Sequence, residues 1–499
     1  MNDSVTSKFS RQVAALYQRV NYEKQSANPR SFKLQTMLDL MQRLGKPHLA
    51  APVIHVAGTK GKGSVSKMVG EILRHAGLKT AIYSSPHLER INQRISVNDQ
   101  LISDEQFSAV LDQIQPTVDS LDAELAARGE RGLTFFEIAT ACGFQHFANQ
   151  NVDAVVLEVG LGGRLDSTNV CQPDVCIITN ISLDHTRQLG NTIAKIAAEK
   201  AGIIKPGVPV ISGALHPDAI EVIKTIAADR GAPLIQLDRD IHVSLDSDGT
   251  FTCNLSPSLW EGQRLAAGEG FAAGDGFAAE ESSAAAPPTQ LANLTCGMPG
   301  DHQRANAALA ITACKLFARR DRRISEQHLR NGIASASLPG RTEILSRFPF
   351  IMIDMAHNGA SVRALMQTFN AETDSSSRNR FVVATTRDKD TAEIIEPLVS
   401  TADELILTRY QDNPRGKSLD ELSLAVENSI ARRSELGQPV PTVEIRDNPG
   451  EAWQYLIDTF ESNDAICIAG SAFLVAELRP TAKQWLENFG NKQHGQNTT

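Results

Sequence analysis

The chain runs from an apolar stretch, Val53 to Ala57, through Gly58-Thr59-Lys60-Gly61-Lys62-Gly63-Ser64 into residues 64–76, where Val65, Met68, Val69, Ile72, Leu73 and Ala76 recur at helical spacing. Strand, glycine-rich turn and helix in that order leave few architectures open, because such a turn opens a βαβ unit and βαβ units build parallel sheets covered by helices. The turn also implies a chemistry. Glycines let successive backbone N–H groups face one point, a helix N-terminus adds positive potential, and Lys62 can reach the same point, so the segment is expected to hold nucleotide phosphates. The match to the common phosphate loop is imperfect: Gly63 separates Lys62 from Ser64, and Val56 stands where an earlier glycine would.

The same rhythm continues. Strands are expected at Thr80–Tyr83, Asp153–Val159, Val175–Thr179 and Val208–Ile211. After Leu338-Pro339-Gly340 a second series follows at Phe350–Ile353, Phe381–Ala384, Leu405–Thr408 and Ala465–Ala469. The expected fold class is therefore α/β: a P-loop-type parallel-sheet ATPase domain over residues 1–338, then a smaller Rossmann-like C-terminal domain over 339–499, with the boundary at the Pro-Gly pair. Residues 262–290, GQRLAAGEGFAAGDGFAAEESSAAAPPTQ, break the rhythm; their Ala, Gly and acidic content cannot bury enough apolar area to offset ordering, so they are expected to form a surface insertion.

Composition removes several function classes. With 41% hydrophobic and 21% charged residues the balance is that of a globular protein, and a net charge of −9 supplies no general cationic field for a nucleic acid backbone or an anionic membrane. The seven cysteines form no CxxC pair and their number is odd, which fits reduced thiols and a cytoplasmic setting; the opening MNDSVTSKFSRQ lacks an apolar signal core.

Several polar residues stand at strand ends. Glu158 closes the apolar run Ala154-Val155-Val156-Leu157, where a carboxylate would sit at the crevice of an open α/β sheet and could serve Mg²⁺. His185 follows another strand, although Mg²⁺ prefers oxygen, and by its position alone it reads as structural. Lys200, in Ala198-Glu199-Lys200-Ala201-Gly202, reads by itself as a solvated helix lysine. In the second half Asp354 could accept from a ribose hydroxyl, and His357 or Arg341 could meet phosphate.

Together the segments GTKGKGS, YSSPHL, TFFE, LEVGLGGRLDSTN, SLDHT, EKAGI, LPGR, DMAHN and RDKD resemble, in order, the folylpolyglutamate synthase/dihydrofolate synthase family of the Mur ligase superfamily, over about Asn28 to Leu478. The resemblance implies an ATP-dependent ligase that adds L-glutamate to a folate, or to dihydropteroate, through an acyl phosphate. It implies Mg²⁺ on Ser85, Glu158 and His185, and a carbamylated Lys200 supporting that site, with Lys62, Lys200 and His185 as the catalytic set. ATP would be held by Gly58, Thr59, Lys60, Gly61, Lys62, Gly63 and Ser64, with Asn306, Arg341, Asp354 and His357 as further nucleotide contacts. The folate surface would include Pro86, His87, Phe136, Glu137, Arg164 and Asp166. Such an enzyme is expected to be a cytoplasmic monomer acting on small molecules, without nucleic acid or membrane partners. Three departures concern fine geometry: Lys60 where many relatives have asparagine, Gly359 in place of a frequent proline, and no glycine before Asp388. Two rival readings share part of the pattern. One is a Mur-type ligase acting on a UDP-sugar peptide, for which the segment before Val53 is short; the other is a P-loop switch protein that makes no bond.

Overall fold

The computed structural model describes residues 2–20, 33–247, 249–256, 289–387, 389–411 and 413–496. Two compact units divide the chain: unit 1 takes Met1–Gly297 with Gln303–Ala336, and unit 2 takes Met298–His302 with Ser337–Thr499. Of the expected insertion 262–290, residues 262–288 lie outside the described residues, while Thr289 and Gln290 open a strand.

Unit 1 is built on an eight-stranded sheet. Its strands are β1 (Val53–Ala57), β2 (Thr80–Tyr83), β3 (Ile95–Val97), β4 (Gln100–Leu101), β5 (Ala154–Glu158), β6 (Val175–Ile178), β7 (Val210–Ser212) and β8 (Leu234–Gln236), in the order β4-β3-β2-β5-β1-β6-β7-β8. Strands β2 to β8 in that row are parallel, and β3 and β4 add an antiparallel edge. The helices in chain order are α1 (Asn2–Gln18), α2 (Leu34–Arg43), α3 (Lys62–His75), α4 (Asp104–Ala127), α5 (Phe135–Asn149), α6 (Thr186–Leu189), α7 (Ile193–Ala201), α8 (Pro217–Asp229), α9 (Asp301–Phe317) and α10 (Glu326–Ser335). Period-two alternation sends Val155 and Leu157 of β5 to one face, with Phe107, Ile114 and Phe144 of α4 and α5. Cys176 and Ile178 of β6 go to the other face, with Ile196, Ala197 and Ile223 of α7 and α8. Covered on both sides, β1 and β5 are buried at every residue, which is why they read as apolar runs.

β1 lies between β5 and β6, although the chain leaves it for β2 on one side and returns to β6 on the other. This change of direction opens a crevice at the carboxyl ends of β1, β5 and β6, the place where open α/β sheets bind ligands. A separate antiparallel sheet of β9 (Ile241–Leu245), β10 (Phe251–Leu255) and β11 (Thr289–Leu294) also belongs to unit 1.

Unit 2 has a six-stranded sheet in the order β12-β13-β17-β14-β15-β16. The strands are β12 (Glu343–Arg347), β13 (Phe350–Ile353), β14 (Arg378–Val383), β15 (Glu404–Leu407), β16 (Thr442–Ile445) and β17 (Asp464–Ala469). All neighbours are parallel except β12 and β13. Its helices are α11 (Gly359–Glu372), α12 (Thr391–Thr401), α13 (Leu419–Glu435), α14 (Pro449–Asp458) and α15 (Ala472–Gln496). The α/β class is the one expected.

The strands expected from apolar runs are present, with ends shifted by a few residues. β14 begins at Arg378, three residues before the expected Phe381, because polar residues are paired inside the sheet. Arg380 is fully buried; its Nε donates to Glu404 on β15 at 2.5 Å and its Nη1 to Asp464 on β17 at 2.9 Å. A buried guanidinium held on both sides satisfies its charge within the sheet, and removing it leaves two buried carboxylates to the more distant and partly exposed Arg378, 3.3 Å from Glu404 and 3.8 Å from Asp464. Arg380→Ala should therefore lower stability by about 3–5 kcal/mol, read from urea denaturation of the full chain.

Candidate active site

The glycine loop occupies the crevice. It leaves β1 at Gly58, with φ +147°, and enters α3 through Gly61, with φ +90°. A Cβ on Gly58 would lie 1.8 Å from Thr179 Oγ1, and one on Gly61 would lie 2.6 Å from Asn306 Oδ1. These two glycines are thus required by neighbours as well as by φ, and the second contact places Asn306 of α9 directly behind the loop. Thr59 N–H donates to Asn180 O at 2.8 Å, and Thr179 Oγ1 donates to Lys60 O at 2.6 Å. The Thr59 hydroxyl donates to Ser182 O and accepts from Ser182 N–H. The loop is therefore laced to residues 179–182 beyond β6. Lys62, Gly63 and Ser64 form the first turn of α3, whose leading amides have no acceptor within a helix and so remain available for an anion.

Three lysines cluster there. Lys62 Nζ donates to Gly58 O at 3.1 Å, Lys200 Nζ donates to the same oxygen at 2.7 Å, and Lys60 Nζ pairs with Asp184 at 3.1 Å. The solvated helix position expected for Lys200 from its local sequence is not what the fold gives. Lys200 is buried, because its side chain reaches from α7 to the backbone of the glycine loop. Burial first, and then the neighbouring Lys62 and Lys60 charges, pull its pKa well below the ordinary lysine value, while Asp184 opposes them.

The carboxyl ends of β2 and β5 bring Ser85 to Glu158. Ser85 N–H donates to Glu158 Oε2 at 3.2 Å, and Ser85 Oγ is buried without a hydrogen-bond partner among the described residues. His185 caps the short α6 in a left-handed conformation, φ 49°; its side chain is half exposed, with Nε2 4.0 Å from Asp184 Oδ1. Among the described residues no group of three or more His, Cys, Asp or Glu side chains is drawn together to hold a metal.

The candidate folate residues divide in two. Pro86 is exposed, His87 is half-buried beside Tyr17 and Arg94, and the Phe136 ring packs edge-on to Tyr83 and covers Gly160. Arg164 is exposed and paired with Glu199. Glu137 and Asp166 are buried and already bonded within the chain. Glu137 takes both Arg131 terminal nitrogens and closes the N-terminal cap of α5 with Thr134. Asp166 accepts from Gly160 N–H, Leu161 N–H, Thr168 N–H and the Thr168 hydroxyl.

In unit 2, Asp354 ends β13 with one carboxylate oxygen accepting Thr342 N–H and the other Ala356 N–H, both at 2.6 Å. Burial pushes this carboxyl above its usual range, against the pull of the Arg341 guanidinium and these backbone donors. The ring of His357 turns back on Met355 O at 2.8 Å, and Asn358 caps α11. Arg341, Asp354 and His357 are thus gathered at one strand end. Asp184 and the solvent-exposed His302, which feels the Asp354 charge, join these clusters although neither stood out in the sequence. The SLDHT segment held the signal for Asp184; nothing local marked His302.

Against known families, residues 56–211 match the Mur ligase middle domain and residues 340–472 the Mur ligase glutamate ligase domain. The chain is 35% identical over 453 residues to the dihydrofolate synthase/folylpolyglutamate synthase of Bacillus subtilis, covering 90% of this chain and 95% of that protein. The chain belongs to the folylpolyglutamate synthase/dihydrofolate synthase family. Its fold is also that of Mycobacterium tuberculosis folylpolyglutamate synthase complexed with ADP, at TM-score 0.78 and 27% identity, covering 96% and 98% of the two chains. The bifunctional synthase of Yersinia pestis complexed with AMPPNP and Mn ion matches at TM-score 0.74 and 29% identity, covering 96% and 98%. The chain is accordingly an ATP-dependent ligase of the Mur ligase superfamily, and neither the UDP-sugar peptide ligase nor the switch protein is favoured.

Two outcomes follow from this geometry. Gly58→Ala should retain the far-UV spectrum but lower ligation at least about tenfold, since its Cβ must displace the loop; steady-state rates against ATP check this. Lys200 binds its proton less readily folded than unfolded, so its burial costs stability below the folded-state pKa, a cost lost as pH rises through the unfolded value of about 10.4. In bicarbonate-free buffer Lys200→Met should therefore be more stable than the parent near pH 7, with the gap closing toward pH 10 in urea titrations.

Proposed function

We propose that this protein joins L-glutamate to a folate, and also to dihydropteroate, using ATP. The observation that carries the reading is that Lys62 and Lys200 both direct an ammonium at Gly58 O, beside Lys60, at the N-terminus of α3. Two cations on one carbonyl repel each other, and that repulsion is relieved when Lys200 is carbamylated, which leaves Lys62 and Lys60 as the cations that meet a phosphate brought to the loop. In the reaction a substrate carboxylate oxygen attacks the γ phosphorus and ADP leaves. The glutamate amine then attacks the acyl phosphate carbonyl, phosphate leaves, and the amine loses a proton as the amide forms. Lys62 and the first amides of α3 would spread the charge on the transferring group, while Gly58 and Gly61 let the backbone come close to it.

The residues at the ends of β2 and β5 fit a magnesium ion. Ser85 Oγ is a buried hydroxyl without a partner among the described residues, and it stands beside the Glu158 carboxylate; oxygen donors are those Mg²⁺ prefers. Ser85 and Glu158 would hold the ion, with His185 as the third candidate, and the remaining positions would go to water and phosphate oxygen. When bound, the ion would neutralise phosphate charge. Arg341, Asp354 and His357 are read as further nucleotide contacts, and Asn306 as a support of the glycine loop. Pro86, His87, Phe136 and Arg164 would border the folate, while Glu137 and Asp166 would shape that border.

Lys200 is read as the carbamylated lysine. A buried amine with depressed pKa is nucleophilic toward CO₂, and replacing its positive charge with a negative one beside Lys62 and Lys60 turns repulsion into attraction. The enzyme is read as a cytoplasmic monomer; among the described residues no helix is long and apolar enough to cross a membrane.

The test is ligation of labelled glutamate by purified protein with ATP and Mg²⁺, run separately on tetrahydrofolate and dihydropteroate. Phosphate release that needs both glutamate and the pterin substrate is expected. Release without glutamate, or no labelled product with either acceptor, overturns the reading. Lys200→Ala should lose most turnover with its fold retained, and the parent should show a carbamate carbon in NMR after incubation with ¹³C-bicarbonate.

A further inference from the structure

A fully buried histidine in the centre of β1 plays no part in the reaction described above. His55 Nε2 lies 2.9 Å from Thr168 Oγ1, and its Nδ1 lies 3.5 Å from Cys171 Sγ. Thr168 Oγ1 lies 2.5 Å from Asp166 Oδ1, and Asp166 Oδ2 accepts Gly160 N–H at 3.0 Å and Leu161 N–H at 2.9 Å. The direction of every bond can be assigned. Asp166 accepts three backbone N–H groups, from Gly160, Leu161 and Thr168, as a carboxylate does, and the Thr168 hydroxyl is then the donor to it. The Thr168 oxygen then accepts from His55 Nε2–H, which leaves Nδ1 to accept the Cys171 thiol proton. Burial supports both assignments, since it lowers the His55 pKa to about 3 and raises that of the Cys171 thiol.

This chain of bonds ends on the segment that follows Glu158. Gly160 and Leu161 are two and three residues beyond that carboxylate. The same loop continues through Gly163, where a Cβ would come within 2.9 Å of the Glu199 and Lys200 carbonyl oxygens. Arg164 N–H then donates to Glu199 O at 2.8 Å, and Asn169 Nδ2 reaches Gly202 O at 3.3 Å. The loop is thus fixed at one end by Asp166 and at the other by α7, with Glu158 before it and Lys200 beside it.

We infer that Thr168 and His55 are positioning residues: through Asp166 they fix the Gly160–Leu161 backbone, and so the direction in which Glu158 presents its carboxylate to a divalent cation. Neither side chain touches a substrate. The inference rests on the reading of Glu158 as a cation ligand. It also gives Asp166 a role in holding the loop. A threonine is needed because its one hydroxyl must donate and accept at once; valine has its shape and does neither.

The test is Mn²⁺ affinity, read from the free-ion EPR signal in the presence of ADP, alongside steady-state ligation against Mg²⁺. Thr168→Val should weaken Mn²⁺ binding and raise the Mg²⁺ needed for half-maximal rate by about tenfold, with the glutamate KM within about twofold. Thr168→Ser, which keeps the hydroxyl, should return both values to within about twofold of the parent. If Thr168→Val does not fold, His55→Met serves, since it removes the donor to Thr168, and the acceptor of the Cys171 thiol, while Thr168 and Asp166 stay in place; a loss of about threefold or more in Mn²⁺ affinity is then expected. A folded Thr168→Val or His55→Met with lowered Tm but parental Mn²⁺ affinity overturns the inference and leaves a purely structural network. Failure of the underlying reading looks different: the parent itself would then bind no Mn²⁺ with ADP, or would ligate no glutamate.

Discussion

The approach of Gly58 to Thr179 is the constraint on which the rest of the site depends. No side chain fits between β1 and β6 at that height, since a Cβ would fall 1.8 Å from the threonine hydroxyl. Because the gap is closed, Thr179 can bond Lys60 O, Thr59 can exchange two bonds with Ser182, and Asp184 comes within reach of Lys60. The glycine loop is therefore fixed by a neighbouring strand end as well as by its own helix. An anion held there meets groups whose positions are already set, which is the condition for electrostatic stabilisation without reorganisation.

Lys200 shows how that constraint reaches further. Its α7 helix packs under the crevice, so its ammonium shares Gly58 O with Lys62 in a buried setting where repulsion is poorly screened. Such an arrangement is unfavourable for the isolated protein and is kept where an anion completes it. Strain of this electrostatic kind is expected at functional sites, where local rules are broken for the sake of the ligand. The Arg380 network of unit 2 is the contrasting case, because Glu404 and Asp464 neutralise the buried charge within the chain.

A second theme is that buried carboxylates near the site already have their partners. Glu137 closes a helix cap, Asp166 clamps a loop, and Asp354 holds the backbone at the end of β13. Each fixes the backbone around it, and Asp354 combines this with a place beside Arg341. Glu158 differs in standing beside a hydroxyl that has no partner among the described residues, and oxygen donors of this kind are those Mg²⁺ prefers.

Sequence alone determined the α/β class, the glycine loop between β1 and α3, and the apolar strands. Those features are local: a buried strand must be an apolar run, and a loop that approaches an anion needs glycine wherever φ is positive. The ordered motifs also carried the family. Sequence did not single out the half-polar strands β9, β12 and β16, which are four or five residues long and largely unburied, nor the early start of β14, whose arginine is paired with carboxylates on two neighbouring strands. Nor could it show that Lys200 is buried, that Asp184 reaches Lys60, or that His55, Thr168 and Asp166 are connected. These depend on which strand ends lie side by side. The strand order β5-β1-β6 places residues far apart in the chain on one crevice, and only the tertiary structure decides that order.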